Sequence, residues 1–375
     1  MKLLVLSCDT GEGHNSAARA ITEELERRGL DYTQADPLSF GRKKTAGIVA
    51  ASYNGIIKKA PAAFGMIYRV GDLYSSAGLT SPIYFANSLY AGHLEHYITE
   101  NGFDAVITTH LFAMEAMTAV HRKTDCRVPC YGILTDYTCI PFFAETKLEA
   151  YFIPHEDLRQ EMVDKGMERA RLVPTGIPVG ARFAGRLDKA AARERLGIPQ
   201  DGSLILIMTG GVGCGNITDL CDEVLRQSRS ACRVCVLTGH NDEMKQQLDE
   251  RYAGLDWLQT VPFTTDVSTY MNAADVLISK PGGLSTTEAA VANVPLVHIL
   301  AFSGCETKNA EFFSQRGMSI RADNAQAAVE AAWSLIRSPE RAEQMRQAQR
   351  RHINPYAARD IVARVTGDLG GAGQE

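Results

Sequence analysis

Two doubly wound α/β domains of comparable size are what this sequence predicts, and three observations predict them. Short apolar runs alternate with helix-period segments along the chain, the pattern of parallel strands covered by crossover helices. The chain has 375 residues, more than one hydrophobic core usually organises. The segment Val173-Pro174-Thr175-Gly176-Ile177-Pro178, with two prolines and a glycine, divides it near the middle.

Taken in order, residues 2–7 carry one cation and a short apolar run. They read as a first strand rather than a signal peptide. A helix is expected from His14 through Arg27, and further strands at residues 105–109, 131–134 and 151–153. After the hinge comes a charged helical stretch at 188–196. The second half then repeats the rhythm, with strands at 204–208, 234–237, 276–278 and 296–299, each followed by a glycine-bearing turn. The expected domains are therefore 1–176 and 177–355. Residues 356–375 form a last helix after Pro355 that is expected to cross back to the first domain. Ligands of doubly wound sheets bind beyond the carboxyl ends of the strands, so two such domains facing each other would form a cleft with two substrate shelves.

Composition narrows the function. The chain is 45% apolar and 22% charged, with a formal charge of −5 and no basic block, which disfavours nucleic acid as a partner. No stretch approaches the roughly 18 consecutive apolar residues of a membrane-spanning helix, so any membrane contact is expected to be peripheral. Nine cysteines do not make a dense disulfide framework in a chain this long, and a reducing cytoplasm is the expected compartment. Cys232-Arg233-Val234-Cys235 lies in a strand-like run with no second ligand pair nearby and reads as core. His93 and His96, three apart on a helix, read as a solvent face. With no Asp-x-Asp pair either, neither metal nor cofactor is expected.

The most informative segment is Ser279-Lys280-Pro281-Gly282-Gly283-Leu284-Ser285-Thr286-Thr287-Glu288. Gly282 and Gly283 let phosphate oxygens approach the backbone, and the helix start that follows favours an anion. Ser285 and Thr287 share that start, and Glu288, about a turn inside, is placed to accept both hydroxyls of a ribose. A second glycine loop, Thr209-Gly210-Gly211-Val212-Gly213-Cys214-Gly215-Asn216, follows the first strand of the same domain. Alone it would read as a tight turn; two such loops at strand carboxyl ends point to a nucleotide diphosphate. There is no Gly-Lys-Ser/Thr, hence no Walker loop, and no GxGxxG dinucleotide pattern. His14 ends a glycine-bearing loop after the first strand. From spacing alone it is either a general base or a capping or packing histidine.

Together these stretches resemble the monogalactosyldiacylglycerol synthase and processive diacylglycerol glucosyltransferase family, relatives of the peptidoglycan N-acetylglucosaminyltransferase. The further anchors are Asp9-Thr10-Gly11-Glu12-Gly13-His14, Leu134-Thr135-Asp136-Tyr137, Thr175-Gly176-Ile177-Pro178, and 306–309. The resemblance implies a GT-B fold, with an N-terminal acceptor and membrane-contact domain and a C-terminal UDP-sugar-binding domain. It implies that Glu288 holds the uridine ribose, that Gly211, Gly213 and Gly283 contact the diphosphate, that Phe263 lies beside the uracil, and that Glu306 and Asn309 face the donor sugar. Cys305 stands where the family usually has Gln, and Glu12 replaces a loop glycine.

The implied reaction is a single inverting displacement. A hexose from UDP-glucose or UDP-galactose passes to a diacylglycerol-type lipid while His14, assisted by Asp9, takes the acceptor proton. Residues 40–98 would supply the acceptor and membrane surface through Lys58, Lys59, Phe64, Ile67 and Tyr68, with six Lys/Arg against two acids between Leu38 and Tyr97. That balance suits anionic lipid, on the inner face of the membrane. Two alternatives stand beside this: a UDP-sugar epimerase or transferase with a soluble acceptor, and a non-catalytic UDP-sugar sensor.

Overall fold

The computed structural model describes residues 1–8, 12–40, 80–208, 217–228, 232–299 and 304–371. They form two units, Met1–Ala181 with Tyr356–Glu375, and Arg182–Pro355. Each unit is built on a six-stranded sheet in which every pairing is parallel.

The first unit contains β1 (Lys2–Leu6), β2 (Asp31–Ala35), β3 (Ala105–Thr108), β4 (Cys130–Ile133), β5 (Ala150–Ile153) and β6 (Leu172–Pro174), in the order β2-β1-β3-β4-β5-β6. The order reverses between β1 and β3, where the chain leaves for opposite edges and a crevice opens at the carboxyl ends. Leu3 and Val5 of β1, Ile107 of β3, Tyr131 of β4 and Phe152 of β5 form one face of the core. Ile21 and Leu25 of the helix Glu12–Arg27 pack on it, as do Ile361, Val362 and Val365 of the final helix Ala357–Gly371. The last helix is thus part of this unit's core, and Arg28 donates to the Arg359 carbonyl at 2.9 Å beside it.

The second unit contains β7 (Ser203–Met208), β8 (Cys232–Gly239), β9 (Leu258–Pro262), β10 (Val276–Ser279), β11 (Leu296–Ile299) and β12 (Ile320–Ala322), in the order β12-β11-β10-β7-β8-β9. Its reversal falls between β7 and β10, which pair from Ile205–Val276 to Met208–Ser279. Asp275 fixes the amino ends of both strands. Its carboxylate accepts from the Leu204 N–H (2.8 Å) and from buried Arg193 (3.0 Å), whose guanidinium also donates to the carbonyls of Gln200, Gly202 and Ala273. Cys232 and Cys235 are buried three apart in β8, where alternation points them to opposite faces.

All eight expected strands are present. Sequence reading left out the four edge strands, β2, β6, β9 and β12, because edges carry polar and half-exposed residues. The segment taken for the hinge accordingly starts inside β6, with Val173 paired to Phe152.

Candidate active site

In the first unit, the reversal between β1 and β3 gathers histidines and hydroxyls. His14 is the third residue of the helix Glu12–Arg27, directly after β1. Its Nδ1 lies 2.7 Å from the carbonyl oxygen of Thr109, just past β3. A carbonyl only accepts, so Nδ1 carries the proton and the lone pair of the neutral ring is on Nε2. The Thr135 hydroxyl, beyond β4, approaches the same Nδ1 at 3.3 Å, and the Thr109 hydroxyl donates to the His14 carbonyl at 3.1 Å. The ring is therefore held by the ends of two strands other than its own.

The electrostatics keep that ring neutral. Burial pushes the pKa of half-buried His14 below its ordinary value, outweighing the Asp136 charge and the Thr109 carbonyl, which push the other way. His110 meets His14 edge-on, with ring centroids 4.5 Å apart. Its Nδ1 accepts from the Phe112 N–H at 3.1 Å, capping the helix Leu111–Lys123, so this second ring carries its proton on Nε2. Burial, and then the neighbouring His14, hold His110 well below the usual range. Glu12 takes the first turn of its helix, where a carboxylate suits the dipole, and pairs with Arg19 at 3.4 Å.

In the second unit, the loop after β10 opens the helix Gly283–Ala292. Gly282 is its N-cap and supplies no side-chain cap, so no capping side chain meets the N–H groups of the first turn. A Cβ at Gly282 would meet only the Ser285 hydroxyl, at 3.3 Å, and its φ of −70° is ordinary. The fold itself makes little demand for glycine there. The Ser285 and Thr287 hydroxyls donate back to the carbonyls of Gly282 (3.3 Å) and Gly283 (2.6 Å). Glu288 is half-buried in the second turn.

Beside it the helix Cys305–Gln315 begins at Gly304, whose φ of +109° favours glycine, again without a side-chain cap. Glu306 in its first turn pairs with Lys280 at 3.1 Å. Asn309 is fully buried and its amide donates to the Pro281 carbonyl at 3.0 Å, tying this helix to the glycine loop. Behind both, buried His298 of β11 lies between the hydroxyls of Thr286 (3.2 Å) and Ser319 (3.1 Å), and burial pushes its pKa down to about 3. Phe263, just past β9, is 47% exposed and stacks on His240, just past β8, with centroids 4.2 Å apart.

The expected residues Gly282, Gly283, Ser285, Thr287, Glu288, Glu306 and Asn309 thus lie in two adjoining helix starts and the loop before them. Phe263 stands at the same carboxyl edge, three strands from β10. Asp9, Lys58, Lys59, Phe64, Ile67, Tyr68, Gly210, Gly211 and Gly213 lie outside the described residues. Sequence reading assigned no part in the site to Thr109, His110, Thr135, Asp136, Lys280 or His240. The available signal was position, because each follows a strand at its carboxyl end.

Residues 14–179 match the family model for monogalactosyldiacylglycerol (MGDG) synthase, and residues 204–364 match that for the glycosyltransferase family 28 C-terminal domain. Among curated relatives, the processive diacylglycerol beta-glucosyltransferase of Bacillus pumilus is 24% identical over 372 residues, covering 96% of this chain and 94% of the relative. That of Bacillus subtilis is 23% identical over 342 residues, covering 89% and 87%. Among solved structures, Acinetobacter baumannii MurG aligns with a TM-score of 0.62 at 16% identity, over 98% of this chain and 99% of its own. The UDP co-structure of S. aureus MnaA aligns with a TM-score of 0.65 at 13% identity, over 98% and 97%; at these identities both show the fold alone. With the two family matches following one another along a chain of two six-stranded parallel sheets, the protein is a GT-B glycosyltransferase that joins an MGDG synthase-family domain to a family 28 C-terminal domain.

Proposed function

We propose that this protein is an inverting transferase that moves glucose or galactose from its UDP ester to a diacylglycerol-type lipid at an anionic membrane surface. The observation that carries the chemistry is the 2.7 Å approach of His14 Nδ1 to the Thr109 carbonyl oxygen, which assigns the proton to Nδ1 and the basic lone pair to Nε2. In the proposed step the acceptor oxygen attacks the anomeric carbon and Nε2 takes its proton. The bond from that carbon to the diphosphate oxygen breaks with inversion, and UDP departs. Asp136 stabilises the imidazolium that forms, and Asp9 is assigned an assisting role.

On the donor side, the uncapped start of the helix Gly283–Ala292 takes the charge developing on the leaving diphosphate, without a metal. The loop with Gly210, Gly211 and Gly213 is assigned the same diphosphate. Glu288 receives the ribose hydroxyls, Phe263 the uracil face, and Glu306 the donor sugar. Asn309 serves the sugar site from behind, by holding Pro281.

The names of the full-length relatives support the lipid acceptor. Phe85 in the helix Pro82–Ser88 and Leu89 at its C-terminal cap, 60% and 70% exposed, support contact with a bilayer. No helix among the described residues is long and apolar enough to cross a membrane; the association assigned here is peripheral, at the cytoplasmic face.

Titration with UDP tests the donor half. Wild type should bind UDP, and Glu288→Ala should weaken it roughly tenfold or more, as expected for hydrogen bonds to a charged group. Equal affinity in the two proteins would remove Glu288 from the site.

A further inference from the structure

Among the described residues of the second unit, the ion pair Lys280–Glu306 is only half satisfied. Lys280 directly follows β10, and its Nζ lies 3.1 Å from Oε1 of Glu306 in the first turn of the helix Cys305–Gln315. The side chains are only 20% and 14% exposed. Oε2 of Glu306 is buried with no hydrogen-bond partner, an arrangement that costs free energy unless something completes it. The pair is flanked by two helix starts without side-chain caps, at Gly282 and Gly304, and Asn309 ties the second to the loop that carries Lys280.

A cation alone at these helix starts would be a standing anion site. Here a carboxylate occupies it instead.

We infer that Lys280 is a donor-diphosphate ligand that Glu306 holds in reserve: in the free protein the two neutralise each other, and the incoming diphosphate draws Lys280 from Glu306. Glu306 then competes with the diphosphate for Lys280, and its charge opposes UDP. This rests on the reading of the glycine loop as the diphosphate site and adds to it a residue and a direction of effect. The competition suits turnover. As UDP leaves, Glu306 reclaims Lys280 and favours release of the product.

The test is calorimetric titration of the full-length protein with UDP and with uridine, for wild type, Lys280→Met, Lys280→Arg, Glu306→Gln and the Lys280→Met/Glu306→Gln double variant. Lys280→Met should weaken UDP roughly tenfold or more, the loss of a charged hydrogen bond, and leave uridine unchanged. Lys280→Arg should retain most of the affinity. Glu306→Gln should tighten UDP several-fold, and most of that gain should vanish in the double variant.

A pair that merely braces the loop would give the opposite pattern, with both single variants weakening UDP and uridine alike. That result, or UDP binding indifferent to Lys280, overturns the inference while leaving the UDP site standing. Failure of wild type itself to bind UDP would instead remove the reading beneath it. Circular dichroism and thermal melts identify any variant that has lost its fold, and Lys280→Arg against Glu306→Gln then carries the comparison without Lys280→Met.

Discussion

Replacing His14 by asparagine separates its two functions. The Asn side-chain amide can donate to the Thr109 carbonyl as Nδ1–H does, at 2.7 Å in the native ring, yet it offers no basic nitrogen. Fold and local hydrogen bonding should survive while general-base help is lost. Such help is typically worth about 10²- to 10⁴-fold, or roughly 3 to 5 kcal/mol of barrier at about 1.4 kcal/mol per tenfold. Turnover measured by UDP release should fall by that factor in both His14→Asn and His14→Ala, with UDP affinity within about twofold of wild type, because the donor residues belong to the other unit.

The pH profile adds a second readout. The neutral ring is the active form and burial lowers its pKa, so the acid limb of the activity profile should be centred below 6.5, at the lowered value. Asp136 pushes that pKa up, so Asp136→Asn should move the acid limb further down and reduce the plateau. A His14→Asn enzyme within tenfold of wild type, or an acid limb centred above 6.5, would refute the assignment of the base.

Other regions give independent tests. Buried His298 titrates near 3 in the folded chain and near 6.5 unfolded, so the unfolded chain alone binds its proton in between. Its contribution to stability is intact above about pH 6.5 and declines below it, by about 2 kcal/mol at pH 5, and His298→Leu should flatten the slope of denaturation free energy between pH 5 and 6.5 by about one proton. Ile361→Ala opens a cavity in the core of the first unit and should cost about 2 to 5 kcal/mol there, read by urea denaturation, with UDP titration unchanged. Phe85→Asp with Leu89→Asp should reduce cosedimentation with anionic vesicles while UDP binding persists; undiminished sedimentation would locate the bilayer contact elsewhere.

The central strands were legible because burial on both faces makes them continuous apolar runs, such as Leu3 to Leu6 and Leu204 to Ile207. The edges were not. Asp31-Tyr32-Thr33-Gln34-Ala35 is half exposed, Ile320-Arg321-Ala322 is three residues long, and Leu172-Val173-Pro174 ends in a residue usually taken as a breaker. The donor loop was readable from Gly282, Gly283 and Glu288 because its parts are contiguous. The surroundings of His14 were not, because Thr109 is 95 residues away and Thr135 is 121, and only the order β1-β3-β4 brings them together. Asp136 lies within the motif Leu134-Thr135-Asp136-Tyr137, but its effect on His14 depends on that order. Lys280 was also in view. What the sequence could not show was that Glu306 holds it, since pairing across two helix starts is a property of packing.

The central claim is lipid-dependent transfer from a UDP-sugar, and the most direct test joins donor and acceptor in one vessel. Purified protein is incubated with diacylglycerol-containing anionic liposomes and either UDP-glucose or UDP-galactose, and UDP release and product mass are measured with and without the lipid. UDP release should require the lipid and come from one donor in preference to the other, with a hexose added to diacylglycerol. Turnover that ignores the lipid, whether by epimerisation or by transfer to a soluble acceptor, would contradict it, as would UDP binding without any turnover.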